Sequence, residues 1–422
     1  IQKDSLKASL EKLKTEEEAK RIAEACDKKQ ASVSSLKKER KTVNPPKLYD
    51  LTTLQREANR YFSFTAQQTL DLVQSLYEKK LLTYPRTDSQ FITDDMEGTV
   101  RQVISILCRK LPLFDGVAYT PDIDRISNNA KVTDHHAILP TVQVEKLDIA
   151  ELPESEQKIL RLVATRLICA TGEKHIYDET TMTVSCEGSL FTAKGKTVVQ
   201  DGWKGIELRF KATLKSKEKE EPETVLPEVT EGDILQNVVS SVSEHFTSPP
   251  KAFTEDTLLS AMESAGNEAF DDETEKKGLG TPATRAGIIE KLVKGGFAER
   301  KGKSLIPTKD GLNLVCVLPE QITSPAMTAE WENTLMQIER GNADADAFLS
   351  GIAAMTSELV KAYPFLSDAE ASRFDTARET VGKCPRCGSP VYVGKGNFYC
   401  SIVSVRSACG KITNSFPARK RS

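Results

Sequence analysis

The stretch LLTYPRTDSQF, residues 81 to 91, places a tyrosine and an arginine on either side of a proline, directly after a helical pattern ends. A free tyrosine hydroxyl has a pKa of about 10, so its attack on a phosphodiester needs a cation nearby to stabilise the phenolate and the phosphate. Arg86 supplies a planar guanidinium that matches phosphate oxygens, and Pro85 turns Tyr84 out of helical geometry. The stretch therefore predicts a nucleophilic Tyr84 assisted by Arg86. The plainer alternative is a buried tyrosine that closes a helix.

The composition is that of an ordinary globular protein with more than one domain. The chain has 422 residues, whereas single cores seldom exceed about 250 to 300 residues. Hydrophobic residues make up 39% and charged residues 28%. No apolar run approaches the roughly 18 residues of a membrane span, and no signal peptide opens the chain, so we expect a cytoplasmic protein. The first residues, without an initiator methionine, look like the middle of a protein.

Apolar periodicity divides the chain into helical and strand-like regions. Helical spacing predicts helices in five regions: 48–62, 66–80 with Thr65 as N-cap, 94–110, a segment that ends at Gly172, and 328–362. A further helix is expected to begin after Thr254. Period-two alternation predicts strands from 178 to 200 and β-like runs around 203–212 and 233–242, with KSKEKEEPE (215–223) as a solvated loop.

Four of the nine cysteines are clustered near the end of the chain, in the spacing C-x2-C-x12-C-x8-C. The four are Cys384, Cys387, Cys400 and Cys409. Such a set suits a tetrahedral zinc site, since a segment this short cannot bury a core of its own without metal. The alternative is a set of reduced cysteines in a disordered tail. Residues 384–422 also hold seven Lys or Arg and no acidic residue, although the net charge of the chain is −3.

Two further motifs could contact phosphate. In DHHAILPT, residues 134 to 141, His135 and His136 are adjacent and point in different directions, so either could bind a phosphate but the pair suits no single metal. In GLGTPATRAGIIEKL, Thr281 can cap a helix whose N-terminus attracts phosphate, and Arg285 adds a cation one turn later. Each motif alone is equally typical of a structural histidine or of any capped helix.

Together these motifs resemble the type IA DNA topoisomerases, most closely the bacterial topoisomerase III branch. The resemblance covers about residues 48 to 410. In order, the matching pieces are LYDLTTLQREAN, LYEKKLLTYPRTDS, DHHAILPT, FTEDTLLSAME, GLGTPATRAGIIEKL, MTAEWE and the four-cysteine segment.

The resemblance implies a cycle in which one DNA strand is cut, another strand passes and the cut is resealed without ATP. It makes Tyr84 the nucleophile that forms a 5′-phosphotyrosine, with Arg86 and His135 at the scissile phosphate. His136 is a weaker candidate for DNA binding. Thr281, Thr284 and Arg285 would help to line the groove for single-stranded DNA.

The resemblance also implies a multidomain α+β fold, mainly helical, with a β-rich arch and a C-terminal zinc ribbon. The expected domains are 1–44, first part of the arch; 45–171, helical gate with the tyrosine; 172–248, second part of the arch; 249–365, helical DNA-binding base; 366–383, linker; 384–410, zinc ribbon; and 411–422, basic tail.

One part of the family pattern is missing from these residues. Members of the family begin with a Toprim domain, whose acidic cluster holds Mg²⁺, and no such domain is recognisable here. Asp122 and Asp124 form a DxD, but they follow the tyrosine and no strand-rich domain precedes them. We therefore expect Zn²⁺ in the ribbon, and Mg²⁺ only in a complete enzyme with ligands outside this chain. The isolated chain is expected to be inactive.

The expected partners are single-stranded and negatively supercoiled DNA, bound by a monomer in the bacterial cytoplasm. One rival hypothesis is a non-catalytic DNA-binding fragment whose ribbon and basic tail hold single strands. A relaxase-type nicking enzyme is a second rival that also uses a tyrosine. That class needs a His-x-His metal cluster, which the adjacent His135 and His136 do not form.

Overall fold

The computed structural model describes residues 2–3, 6–10, 13–117, 120–214, 226–265, 278–363, 367, 370, 373–374, 380–385, 388–393 and 398–400. The helices within these ranges are α1 Glu16–Cys26, α2 Leu51–Phe62, α3 Ala66–Glu78, α4 Glu97–Lys110, α5 Glu154–Ala170, α6 Trp203–Thr213, α7 Glu255–Ser264, α8 Pro282–Lys294, α9 Lys309–Val317, α10 Glu320–Thr323, α11 Pro325–Glu339 and α12 Ala345–Ala362. The strands are β1 Gln2–Lys3, β2 Leu6–Lys7, β3 Ala31–Val43, β4 His175–Cys186, β5 Ser189–Gln200, β6 Ile234–Leu235, β7 Ala298–Lys301, β8 Ser304–Pro307, β9 Thr380–Lys383, β10 Pro390–Val393 and β11 Phe398–Cys400.

The predicted β-rich region is an antiparallel sheet in the order β5-β4-β3-β6. β3 pairs with β4 over nearly its full length, which joins residues before the helical region to residues after it. The β4–β5 turn contains Glu187 and Gly188 at φ +45° and +76°, as a tight hairpin requires. Met182, Val184 and Phe191 are buried with α1 and β2 residues, so one face of the sheet carries the core.

A helical core lies between the two halves of this sheet in the sequence and holds the tyrosine motif. α2, α3, α4 and α5 bury one continuous apolar cluster between Leu48 and Ala170. Thr65 caps α3 in a capping box with Gln68, which confirms the predicted N-cap. α2 ends at Ser63, which has left-handed backbone at φ +60° and bonds back to the carbonyl of Asn59. These caps set the short α2–α3 corner.

The strand predicted around 203–212 is wrong, because Trp203–Thr213 is helix α6. Its apolar residues are spaced three and four apart, and Ile206 and Phe210 are buried in the helical core rather than against the sheet. Gly202 begins the helix at φ +52°, and a Cβ there would lie 2.3 Å from the carbonyl oxygen of Lys174. Gly202 at the start of the segment and the burial of Ile206 and Phe210 in the helical core therefore favour a helix over the strand that the local composition suggested.

The other β-like run, 233–242, contributes only the two-residue strand β6, which pairs with the start of β3. The loop KSKEKEEPE lies outside the described residues.

The predicted base domain 249–365 is divided between two compact units, Ile1–Lys294 with Arg300–Ile306, and Gly295–Glu299 with Pro307–Ser422. α7 and α8 belong to the first unit because they pack on the helical core, where Leu259 and Ile289 bury Ala66. The buried Glu255 carboxylate accepts the Ala66 N–H at 2.8 Å. Asp256 pairs with Arg56 and Arg60 of α2.

The second unit holds α9 to α12 and a three-stranded sheet in the order β11-β10-β9. Trp331 of α11 and Phe348 of α12 meet edge to face, with ring centroids 6.3 Å apart. This contact makes Trp331 a packing residue between α11 and α12.

Candidate active site around Tyr84

The tyrosine motif and the histidine motif, about 50 residues apart in sequence, form one short antiparallel ladder. The Thr83 N–H donates to the Leu139 carbonyl at 2.9 Å, and the Thr141 N–H donates to the Leu81 carbonyl at 3.0 Å. The Thr83 hydroxyl accepts the Leu139 N–H and donates to the Ala137 carbonyl at 3.1 Å. The ladder therefore fixes the backbone next to Tyr84 against the segment that follows the histidines.

The Tyr84 ring lies between two other rings. Its centroid is 4.2 Å from that of His135, and the planes are tilted by 38°. Tyr77, in the last turn of α3, meets it edge to face at 5.5 Å. Tyr84 is half-buried, and its hydroxyl hydrogen-bonds to no residue in the described part of the chain. The ring is held while the oxygen stays available for a reacting group.

The two side chains predicted to lie at the phosphate beside Tyr84 are both exposed. Arg86 has no salt bridge within the described residues, so its guanidinium is available to an anion. The His135 ring is also exposed, and its backbone carbonyl accepts the Thr87 hydroxyl at 3.0 Å. The structure thus brings the predicted Tyr84, Arg86 and His135 to one surface.

His136 differs from its neighbour because its ring is tied to the backbone. Its Nδ1 lies 2.8 Å from the Ala137 carbonyl oxygen, and since a carbonyl can only accept, Nδ1 carries a hydrogen. The ring is half-buried, and Nε2 is the nitrogen left for another partner. DNA binding by His136 stays a prediction.

Asp50 supports the tyrosine segment, and sequence reasoning missed it. Its carboxylate caps α2 by accepting the Thr53 N–H at 2.7 Å and receives the Gln90 side chain at 3.0 Å. The next residue, Leu51, donates its N–H to the Thr87 carbonyl at 3.1 Å. The start of α2 therefore hydrogen-bonds to the tyrosine segment at two points, Thr87 and Gln90, which are the first and last residues of TDSQ. An aspartate three residues before a threonine at a helix start was the available signal.

Burial raises the pKa of the Asp50 carboxyl to about 6, with Glu263 of α7 adding to the rise and hydrogen bonds from Thr53 and Gln90 opposing it. The folded protein therefore holds this proton more tightly than the unfolded chain, where an aspartate has a pKa of about 3.9. Its contribution to stability is complete below about pH 4 and is lost as the pH rises through about 6.

Replacing Asp50 with asparagine is expected to remove this pH dependence. Asparagine still caps α2, but it carries no proton to lose, so the fall of about 2–3 kcal/mol in unfolding free energy between about pH 4 and 7 should disappear. Urea denaturation at the two pH values measures it. Asp95→Asn, at an exposed position, is the control and should keep the fall in unfolding free energy seen in the parent chain. If Asp50→Asn shows the same fall as the parent chain, Asp50 is not the group responsible for it.

The threonines of the GLGTPATRAG motif lie at the exposed start of α8. The Thr281 N–H donates to the Thr284 hydroxyl at 2.9 Å, and the Thr284 and Arg285 N–H groups donate to the Thr281 carbonyl. The Leu279 N–H donates to the Met262 carbonyl at 2.7 Å, so the glycine segment does not offer that amide to a phosphate. Gly278, at φ +65°, would place a Cβ 2.3 Å from the same oxygen.

Arg285 was predicted to bind DNA, but the structure buries it to 3% exposure. Its guanidinium donates to the carbonyls of Leu279 and Gly280, both at 3.1 Å, and to the Thr52 hydroxyl of α2 at 3.0 Å. A buried guanidinium with this set of acceptors holds the α8 start against α2. Its position supports a positioning role rather than direct contact with DNA.

Replacing Arg285 with alanine is expected to lower the free energy of unfolding by about 2–3 kcal/mol, because two carbonyls and a hydroxyl lose a charged donor. Arg285→Lys keeps the charge but not the planar guanidinium, so its unfolding free energy should lie between those of the parent chain and Arg285→Ala. Arg161→Ala removes an exposed arginine and should change stability by less than about 0.5 kcal/mol. If urea denaturation gives equal losses of stability for Arg285→Ala and Arg161→Ala, Arg285 does not hold the start of α8 against α2.

Two of the four predicted zinc ligands, Cys384 and Cys400, are described, and both are buried against Val391. Val391 is the register partner of Cys400 in the β10–β11 pair. The Gly388 N–H donates to the Cys384 carbonyl at 2.8 Å. Cys387 and Cys409 lie outside the described residues. The ribbon therefore stays a prediction.

The described residues do not fit a Mg²⁺ site, since they contain no group of three or more His, Cys, Asp or Glu side chains placed to hold a metal. Within the DxD, Asp122 pairs with Arg125 at 2.7 Å. None of the helices in the described ranges is both long and apolar enough to cross a membrane.

Comparison with known proteins identifies the family. A family model described as DNA topoisomerase matches residues 2–350. DNA topoisomerase 3 of Bacillus subtilis is 36% identical over 403 residues, covering 90% of this chain and 53% of the relative. DNA topoisomerase 3 of Bacillus licheniformis is 35% identical over 410 residues, 92% of this chain and 54% of the relative.

The fold has a counterpart among solved structures. Full-length topoisomerase I from Thermotoga maritima superposes with a TM-score of 0.63 at 24% identity, over 97% of this chain and 64% of the other. The chain spans about half the length of the curated relatives it matches. On the family model and these relatives, the chain belongs to the bacterial type IA DNA topoisomerases and is topoisomerase III-like.

Proposed function

We propose that this chain is the gate, arch and DNA-groove part of an ATP-independent DNA topoisomerase that works through a covalent tyrosine intermediate. The observation that carries the proposal is the Tyr84 ring held between Tyr77 and His135, with an exposed Arg86 two residues away. A fixed ring, an available hydroxyl and a nearby cation are the requirements of a tyrosine nucleophile.

In the proposed cleavage step the Tyr84 oxygen attacks the scissile phosphorus. The bond from phosphorus to the 3′ oxygen breaks, so a 5′-phosphotyrosine forms and a free 3′-hydroxyl leaves. The proton lost by the tyrosine is balanced by the proton gained by that 3′ oxygen. Resealing is the reverse attack by the 3′-hydroxyl. Because one phosphodiester replaces another, the bond energy is conserved and no ATP is needed.

The other residues of the site hold the strand. Arg86 neutralises charge on the attacked phosphate through its planar guanidinium. His135, stacked on Tyr84 and exposed, reaches the same phosphate, and His136 is a weaker contact through Nε2. Thr281 and Thr284 present hydroxyls at the N-terminus of the 13-residue helix α8, where the helix dipole attracts phosphate.

We propose that cleavage also needs acidic metal-binding residues that the described part of this chain does not contain. The resemblance assigns them to a Toprim domain with Mg²⁺. When bound, the metal would supply positive charge at the reacting phosphate. Tyr84, Arg86 and His135 would act on that phosphate together with those residues.

The expected substrates are single-stranded DNA and negatively supercoiled DNA, whose underwound duplex opens into single strands. We propose a monomer, because Tyr84, Arg86 and His135 come from one polypeptide and would act on a single phosphodiester. A DNA substrate would place the protein in the bacterial cytoplasm.

The test follows a single-stranded oligonucleotide labelled at its 3′ end, incubated with Mg²⁺ and either the isolated chain or a fusion of the chain to a Toprim domain. The label should become covalently attached to the fusion, while the isolated chain binds the strand without an adduct. An adduct with the isolated chain would show that the Toprim residues are unnecessary. Binding by neither protein would refute the proposed function.

A non-catalytic role is the second candidate for the isolated chain. Residues 384–422 carry seven basic and no acidic residues, which favours binding to a DNA backbone. Salt-dependent binding without an adduct in the fusion as well as in the isolated chain would establish this alternative.

We also propose that Cys384, Cys387, Cys400 and Cys409 bind one Zn²⁺. The burial of Cys384 and Cys400 around Val391 supports the site, and thiolates are the ligands that structural zinc prefers. Metal analysis of the purified chain should find about one zinc per chain, and Cys384→Ser should lose most of it. Cys316→Ser, an exposed cysteine outside the cluster, should keep it. No zinc in the parent protein would refute the site.

A further inference from the structure

Phe91, at the end of the tyrosine segment, has two lysine ammonium groups over its ring. Lys131 Nζ lies 5.1 Å and Lys47 Nζ 5.6 Å from the ring centroid. Phe91 is half-buried, whereas both lysines are exposed. Lys47 directly precedes the buried segment before α2, and Lys131 lies four residues before His135. Three separate segments thus bring an aromatic face and two cations together.

The position of this cluster is set by the backbone that also holds Tyr84 and His135. The Ala137 N–H donates to the Phe91 carbonyl at 2.9 Å. The Ser89 hydroxyl donates to the Lys131 carbonyl at 2.8 Å and accepts the Phe91 N–H at 3.2 Å. Phe91 and Lys131 therefore lie on the same two segments as the candidate active site, and Lys47 comes from a third.

The charges of this cluster are not balanced within the described residues. Neither Lys47 Nζ nor Lys131 Nζ forms a salt bridge or hydrogen bond with any residue there. The negative face of the ring attracts each ammonium but does not neutralise its charge. Each ammonium is therefore available to an anion, and an ammonium binds phosphate as a point charge.

We propose that Lys47, Lys131 and Phe91 form a second phosphate-binding site, which takes one backbone phosphate of the single strand engaged by Tyr84. The inference rests on the proposed function, since it assumes a DNA strand at Tyr84. The site anchors the strand beside the scissile phosphate, and it contributes to binding rather than to the chemical step.

The test measures the affinity of the chain for a fluorescent single-stranded oligonucleotide over a range of KCl concentrations. Lys131→Ala and Lys47→Ala should each weaken binding about threefold to tenfold at low salt. Lys47→Ala/Lys131→Ala should lower the slope of log K against log salt by about 0.7, the loss of one neutralised phosphate, and each single substitution should lower it by less. Lys146→Ala, which removes an exposed lysine of the same helical core, should leave both quantities unchanged.

A scan of the oligonucleotide locates the phosphate. One uncharged methylphosphonate linkage is moved along the strand, and one position should weaken binding to the parent chain but not to Lys47→Ala/Lys131→Ala. Phe91→Leu keeps an apolar side chain but removes the ring face, so it should weaken binding at that same linkage.

Two failures are distinguishable. If the parent chain binds no single strand, the proposed function fails and the second site fails with it. If the parent binds but Lys131→Ala and Lys146→Ala behave alike, or if no linkage depends on the lysine pair, only the second site is overturned.

Discussion

Tyr84→Phe is expected to abolish the covalent protein–DNA adduct in the Toprim fusion, with a loss on the order of 10⁴-fold or more, as removal of an enzyme nucleophile usually causes. The substitution deletes one oxygen and keeps the ring, so the contacts with Tyr77 and His135 should survive. The measurement is the covalent transfer of a 3′-labelled strand to protein, followed by gel electrophoresis under denaturing conditions.

The neighbouring ring provides a matched control. Tyr77→Phe removes the same oxygen from the tyrosine that packs edge-on against Tyr84. It should keep the adduct near the level of the parent fusion, because the edge-to-face contact needs no hydroxyl. Single-strand affinity should be unchanged in both variants. An adduct that persists in Tyr84→Phe would assign the nucleophile to another residue.

The second large effect is expected at a partly buried ion pair that joins α2 to α5. Arg166 of α5 pairs with Glu57 of α2, and the Tyr49 hydroxyl donates to the same carboxylate. The guanidinium carbon also lies 4.3 Å from the centroid of the Tyr49 ring. Burial lowers the pKa of Arg166, but Tyr49 and Glu57 outweigh it and raise the pKa above its usual value. Burial raises the pKa of Tyr49 well above its usual value.

Arg166→Met is therefore expected to lower the free energy of unfolding by about 2–4 kcal/mol. Methionine fills much of the arginine volume, so the loss reflects a Glu57 carboxylate left without its cation. Side-chain exposures of 15% for Arg166 and 20% for Glu57 keep the cost below that of a fully buried pair. Urea denaturation followed by circular dichroism gives the value.

Two further variants separate this cause from general damage. Arg166→Met/Glu57→Gln should recover part of the loss, because the uncompensated charge is gone. Arg109→Met breaks an exposed pair with Glu145 and should cost no more than about 1 kcal/mol. A double variant less stable than Arg166→Met alone would contradict the argument.

Local sequence signals were sufficient for the motifs that act within one segment. The Thr65 cap, the start of a helix after Thr254 and the alternation of the β4–β5 hairpin depend on neighbours in the chain, and the structure confirms them. The candidate nucleophile also came from local sequence, because Tyr84, Pro85 and Arg86 are adjacent, and its role stays a prediction. The family followed from the order of several such motifs.

Only the tertiary structure decided which distant residues meet. It converted 203–212 from a strand to a helix, because burial of Ile206 and Phe210 in the helical core outweighed local composition. It buried Arg285 against Thr52, 233 positions earlier in the chain, where the sequence had indicated a cation at a DNA groove. It also placed Lys47 and Lys131 over Phe91. The physical reason is that periodicity and caps report local backbone geometry, whereas burial and charge pairing depend on contacts between segments far apart in sequence.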